Sequence, residues 1–168
     1  MSNANHKKKT ILRLVQNDPG VGFVDIQKET GYANGVLSHH LKILEKNDHI
    51  RIARGKRKIW VFPSHLDSDN DKIRIYIRKE TCRRIIDFLL ENNESSFVSI
   101  QNTIEKSPST TSTTLKMLVQ NDIVKKIPGF PHKYSLIDSQ KVLKVIDTIQ
   151  VSKADTLKDR FADTFSYF

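Results

Sequence analysis

Asn34-Gly35-Val36-Leu37-Ser38-His39-His40-Leu41-Lys42-Ile43-Leu44-Glu45-Lys46, followed after Asn47-Asp48 by Ile50-Arg51-Ile52-Ala53-Arg54-Gly55-Lys56-Arg57-Lys58-Ile59-Trp60-Val61-Phe62, is the stretch that decides the architecture of this chain. Leu37, Leu41 and Leu44 stand at i, i+4 and i+7, one apolar stripe of a helix that Asn34 can cap and that runs to about Lys46. Ile50–Arg54 and Lys58–Phe62 are β-prone runs parted by Gly55-Lys56-Arg57, the form of a hairpin. A groove-sized amphipathic helix followed at once by a basic β-ribbon is therefore the first expectation.

Working upstream, Ile11, Leu12, Leu14 and Val15 fall near helical spacing within Lys8–Gln16, and Asn17-Asp18-Pro19-Gly20 stops that helix with turn chemistry. Val21–Val24 can add a short extended piece. Asp25–Thr30 reads as a short second helix, closed by Gly31 as a C-cap. Three helices and a hairpin follow one another between Lys8 and Phe62.

The same order then returns. Phe23-Val24-Asp25-Ile26-Gln27 recurs 74 residues later as Phe97-Val98-Ser99-Ile100-Gln101. That offset carries Ile11 onto Ile85, Ser38 onto Ser112, Leu41-Lys42 onto Leu115-Lys116, Asn47-Asp48 onto Asn121-Asp122 and the single Trp60 onto Tyr134, with no gap. The second copy is expected to form helices over Glu80–Glu91, Val98–Glu105 and Ser109–Gln120. Its hairpin would pair Val124–Ile127 with Lys133–Leu136 across Pro128-Gly129-Phe130-Pro131. Ser64–Asp71 is polar and acidic and reads as a linker, while Ile73–Ile77 can begin a helix early, which leaves that boundary open. After the second copy, Val142, Leu143, Val145, Ile146 and Ile149 follow a helical pattern. A second amphipathic stretch carries Leu157, Phe161, Phe165 and Phe168. Phe161 and Phe165 share a helix face, which serves equally as packing on the same chain or as a homodimer contact.

The charge is unevenly spread. The whole chain of 168 residues has a net charge of +9. Residues 1–66 carry 12 Lys and Arg against 5 Asp and Glu, residues 67–137 carry 11 against 9, and residues 138–168 carry 5 against 5. The excess thus belongs to the first third, and a polyanion is the natural partner for it. Arg51, Arg54, Lys56, Arg57 and Lys58 crowd one short ribbon with no acid among them. A merely solvated ribbon would mix signs, because like charges on neighbouring strands repel. On the helix before it, Asn34, Gly35, Ser38, His39 and Lys42 fall on the side away from the leucines. Asn and Lys can read adenine and guanine edges in a major groove, while Ser and helix N-terminal amides suit phosphates.

The run from Thr30-Gly31-Tyr32-Ala33 through Asn34–Lys46, with Ile50–Arg57 after it, resembles winged helix-turn-helix regulators. It is most similar to the ArsR-like and MarR-like group, and to archaeal members of it. The resemblance covers residues 8–63 well and the second copy less well. It implies a mainly α fold with small β-hairpin wings (α+β): two tandem winged helix-turn-helix domains, over 1–66 and 67–137, and a C-terminal helical tail over 138–168. It also implies recognition-helix roles for Asn34, Gly35, Ser38, His39 and Lys42 and wing roles for Arg54, Lys56, Arg57 and Lys58. The expected partner is double-stranded DNA, in a transcriptional regulator whose first domain is the main reader. In the second copy, Ser109, Ser112, Thr113 and Lys116 offer a secondary DNA contact, with a pure packing or partner role as the other open reading; its wing, Pro128-Gly129-Phe130-Pro131 with only His132 and Lys133 near the tip, is not expected to enter a minor groove. Two rivals stand beside the regulator: an architectural chromatin protein that coats DNA without choosing sequence, and a tandem winged-helix scaffold for protein interactions.

Other chemistries find little support. His39-His40 invites a metal, but metal sites need several converging ligands, and neighbours on a helix point about 100° apart. No metal and no cofactor is expected. Cys82 is the single cysteine, so no intramolecular disulfide is possible, and a lone helical cysteine reads as structural. There is no glycine-rich phosphate loop, nucleophile elbow or paired-histidine zinc motif, so no enzyme is expected. Stacking aromatics of the kind single-strand readers use are absent from the motif. The N-terminus lacks the apolar run of a secretory signal and no stretch suits a membrane span, so the expected location is the cytoplasm.

Overall fold

In the computed structural model, residues 3–150 are described; the Leu157, Phe161 and Phe165 stripe lies outside them. The chain divides into two compact units, one built on residues up to Ser68 and the other on Asp69–Val145. Both are helical with a small antiparallel sheet.

The first unit runs α1 (Asn3–Asn17), β1 (Val21–Gly22), α2 (Phe23–Thr30), α3 (Asn34–Lys46), β2 (Ile50–Arg54) and β3 (Ile59–Pro63). α1 begins five residues before the expected Lys8, since Asn3–Lys7 has no apolar period to betray its helix but nothing to break one. The sheet is ordered β1-β3-β2. Arg54 faces Ile59 at the hairpin end, and Val21 and Gly22 pair with Val61 and Trp60. One apolar cluster holds the unit: Ile11 and Val15 from α1, Ile26 from α2, Leu37, Leu41 and Leu44 from α3, and Val21, Ile50 and Val61 from the sheet. The three leucines foreseen as a stripe are all buried. Buried aliphatic side chains of this kind each contribute roughly 1.5–3 kcal/mol by leaving water, which fixes the rotation of α3 about its own axis and so decides which of its residues face out.

The turn from α2 into α3 depends on Gly31, whose φ of 67° lies in the left-handed region while its N–H donates to Gln27 O at 2.8 Å. That closes α2 and sends the chain straight into α3. Ala33, not Asn34, occupies the N-cap of α3, and no side chain caps it. Asn34 is drawn inside the helix because its Oδ1 accepts from Gln27 Nε2 of α2 at 2.6 Å.

The second unit runs α4 (Asp71–Ile77), α5 (Glu80–Asn92), β4 (Glu94–Ser96), α6 (Phe97–Ile104), α7 (Pro108–Gln120), β5 (Val124–Ile127) and β6 (Lys133–Leu136), with its sheet ordered β4-β6-β5. Ile73–Ile77 thus belongs to a separate helix ahead of α5, anchored by the buried Arg74, which reaches Asp71 at 3.5 Å. Ile85, Ile86, Leu89, Ile100, Leu115 and Leu118 are buried. Cys82 is a buried free thiol, pushed up from its ordinary pKa by burial. Residues 139–150 are helical, and Val142 and Val145 are buried. Among the described residues no helix is long and apolar enough to cross a membrane.

Candidate nucleic-acid interface

With the leucines of α3 turned inward, Asn34, Gly35, His39 and Lys42 are exposed and Ser38 is half-buried. The five residues singled out from the sequence therefore share the outer side of one helix. This side carries no acid from Asn34 to Lys42. The helix also starts without a side-chain cap, so its first N–H groups remain available to an anion, which the positive end of the helix dipole favours. Nothing lies within 4 Å of the place a Cβ would take at Gly35. The bare backbone there can approach another surface closely.

His40 behaves differently from His39 beside it. It is buried, its Nδ1 has no hydrogen-bond partner, and its ring meets the His39 ring edge-on at 5.6 Å between centroids. Burial, and after it the His39, Lys7 and Lys8 charges, hold the imidazole below its ordinary pKa. Lys7 also sits over the Tyr32 ring, 5.5 Å from its centroid. The first turns of α1, an acid-free helix carrying Lys7, Lys8 and Lys9, thus adjoin the outer part of α3. Sequence reasoning passed over these lysines. Their signal was a run of three cations, legible as charge but without a partner element until α1 is seen beside α3.

The hairpin sorts its five cations into two jobs. Arg51 lies over the Phe62 ring at 4.9 Å, directly across the ladder, and donates to Leu66 O at 3.2 Å and Asp67 O at 3.4 Å. It ties the hairpin to the chain that follows. Arg54 reaches back to α3 and grips Glu45 with both arms, Nη1 to Oε1 at 2.9 Å and Nη2 to Oε2 at 2.8 Å. The guanidinium holds the Glu45 carboxyl below the usual carboxylate range. Lys56, Arg57 and Lys58 at the tip are exposed and have no ion-pair partner among the described residues. The tip itself is stiffened: the Gly55 N–H donates to Lys58 O at 2.8 Å, and the Trp60 ring covers the Gly55 backbone so closely that a Cβ there would come within 2.9 Å of Trp60 Cζ3.

In the second unit, Ser109, Ser112, Thr113 and Lys116 are exposed on α7. Here the helix start is satisfied from within. Ser107 Oγ accepts from Thr110 N, and Pro108 takes the first turn. The hydroxyl-rich helix presents one cation, Lys116, where α3 presents Lys42. Among the described residues, no group of three or more His, Cys, Asp and Glu is placed to hold a metal ion.

Comparison with known proteins agrees with this geometry. Residues 5–51 match the family of winged helix-turn-helix DNA-binding domains. The chain is also similar to an uncharacterised HTH-type transcriptional regulator of the archaeon Methanocaldococcus jannaschii, 25% identical over 121 residues, covering 72% of this chain and 30% of that protein. The chain therefore spans under a third of the length of the relative it matches. The matched segment takes in most of α1, then β1, α2, the Gly31 turn, α3 and the start of β2, and the rest of the basic hairpin follows it. The first unit thus has the winged helix-turn-helix fold, three helices followed by a β-hairpin, and is similar over residues 5–51 to DNA-binding domains of that kind.

Proposed function

We propose that the chain is a non-enzymatic transcriptional regulator whose first unit reads duplex DNA, with α3 in the major groove and the β2–β3 hairpin against the backbone or minor groove. The observation that carries this reading is the set of three exposed, unpaired cations, Lys56, Arg57 and Lys58, on a stiffened tip beside a helix whose outer side has no acid from Asn34 to Lys42. Cations held together on a short loop repel one another, and phosphates relieve that repulsion while releasing their counterions. Asn34, Ser38, His39 and Lys42 face the base edges in this reading, and Gly35 with the open amides of α3 takes a phosphate. Arg54 keeps the hairpin at a set distance from α3 through Glu45, and Arg51 anchors its base, so both position the contact more than make it. The second unit is read as a second winged helix-turn-helix domain.

Measuring the affinity for duplex DNA across a salt series tests this. Replacing Lys56, Arg57 and Lys58 together with Ala is expected to lower the slope of log K against log salt by about 2 to 3, at roughly 0.9 per phosphate lost. An unchanged slope would remove the tip from the interface. Selection from random duplex DNA separates a regulator from a coating protein. An enriched motif that shifts in the Asn34→Ala or Ser38→Ala variant supports base reading by α3, and the absence of any motif overturns it.

A further inference from the structure

The two hairpins keep one frame and differ at the tip. Counted by the 74-residue repeat, Gly129 stands where Gly55 does, and Phe130 stands where Lys56 does. Phe130 is fully exposed, at 107% of its reference surface, whereas the other exposed large apolar residues, Val24, Val98, Ile137 and Leu143, keep about half their surface covered, with exposures of 57%, 61%, 49% and 40%. It sits in Pro128-Gly129-Phe130-Pro131, where two prolines restrict the backbone on either side. Each proline lowers the freedom lost when the tip is held against a partner.

The surroundings of this phenylalanine are cationic. The segment from Val124 to Leu136 contains Lys125, Lys126, His132 and Lys133 and no acid. Lys133 is occupied by Glu94 at 2.6 Å. Lys125 and Lys126 are exposed and have no partner among the described residues. Because strand side chains alternate, these two lysines flank the ribbon on both of its faces. A protein partner would need a contiguous apolar patch, and a stable interface buries roughly 800 Å² on each side; one aromatic ring among lysines offers nothing of that size. A duplex fits better, since phosphates answer the lysines and the base stack answers the ring. Apolar side chains inserted between base steps are a known way for proteins to grip and bend a minor groove.

We propose that the β5–β6 hairpin is a second duplex-DNA contact of this chain, in which Phe130 enters the base stack as a wedge while Lys125 and Lys126 hold the flanking phosphates. The proposal rests on the DNA-binding reading of the first unit. The second unit then adds distortion of the duplex to the recognition supplied by α3.

Permanganate oxidation of unstacked thymines in a long mixed-sequence duplex, read alongside affinity for the full chain, tests it. The native chain is expected to raise thymine reactivity. Phe130→Ala should abolish that signal and weaken binding roughly tenfold, in the range of one lost stacking contact, with the salt slope unchanged. Phe130→Leu should retain most of the signal, because the wedge stays apolar. Lys125→Ala with Lys126→Ala should lower the salt slope by about 2. If the native chain binds yet leaves thymines unreactive, or if Phe130→Ala changes neither reactivity nor affinity, the wedge is overturned while the first-unit reading stands. A Phe130→Ala effect confined to the mass of the free protein in solution makes the ring a protein contact and overturns it as well. If the native chain binds no duplex even in dilute buffer, both readings fall together.

Discussion

From α1 in the first unit and α5 in the second, the two units carry the same succession of elements on the same spacing, yet they put different chemistry on it. α3 and α7 bury the same register positions, Leu41 with Leu115 and Leu44 with Leu118. Both units close the preceding helix with a left-handed residue, Gly31 at φ 67° and Glu105 at φ 52°, and both turn out of the long helix through a left-handed Asp, Asp48 at φ 55° and Asp122 at φ 59°. Outside these points they part. α3 opens without a cap where α7 has Ser107, and the first hairpin ends in three free cations where the second ends in a phenylalanine between prolines. The lesson is that burial and backbone geometry constrain the shared positions. The exposed ones are free to follow whatever each surface touches.

The largest expected effect breaks the likeness at its base. Leu41→Ala and Leu115→Ala each empty a site that is 2% exposed, so each should cost about 2–5 kcal/mol in denaturant unfolding. Clearly unequal costs would show that the two cores are not equivalent. Next comes the shared left-handed turn. Gly31→Ala introduces a Cβ at φ 67° and should destabilise the first unit by about 1–2 kcal/mol, whereas Glu105→Gly should stabilise the second by a similar amount. Thermal unfolding of the two variants measures both signs. If Gly31→Ala is neutral, the turn does not hold the left-handed geometry in solution.

The helix starts sharpen the contrast further. Ser107→Ala should cost about 1 kcal/mol, the worth of a lost cap, while Ala33→Ser should stabilise α3 by up to about the same. The second substitution should also weaken duplex binding, because the new hydroxyl competes with phosphate for the helix amides. A stabilised variant that binds as tightly as before would show that α3 does not offer its amides to DNA.

The smallest effect is one of pH. His40 has a lowered pKa in the folded chain against an ordinary value of 6.5, so between those two values the unfolded chain binds more protons. This group's contribution to stability is therefore complete above about pH 6.5 and is lost as the pH falls towards the lowered value. Its counterpart in the second unit, Thr114, does not titrate. Comparing unfolding of the native chain with His40→Leu across that window should show the steeper acid loss in the native chain, and identical slopes would place the imidazole in water.

Much of the fold could be read ahead of the structure because the signals were local. Val124–Ile127 and Lys133–Leu136 are the strands of the second hairpin as expected, since Pro128, which lacks an N–H, cannot continue the ladder. In the first hairpin the return strand starts at Ile59 and not Lys58, because the Lys58 carbonyl is taken by the Gly55 N–H that closes the turn. Asn34 looked like a cap and lies inside the helix, because Gln27, on a different helix, claims its side chain. The candidate interface divides the same way. That α3 has a polar side and the hairpin a basic one was legible in the residues. Which cations stay free was not, since it depends on Glu45 meeting Arg54 and on Phe62 lying under Arg51.

The sequence by itself determined the order of helices and hairpins, the 74-residue repeat and the first unit's excess of charge, because periodicity, turn residues and composition act over a few neighbours at a time. Only the tertiary structure decided that Arg51 and Arg54 are held while Lys56, Arg57 and Lys58 are not, that Trp60 braces Gly55, and that Lys7 and Lys8 border His40. Each of those depends on where side chains from separate elements meet once the apolar cluster has set the rotation of every helix, and no local pattern carries that information.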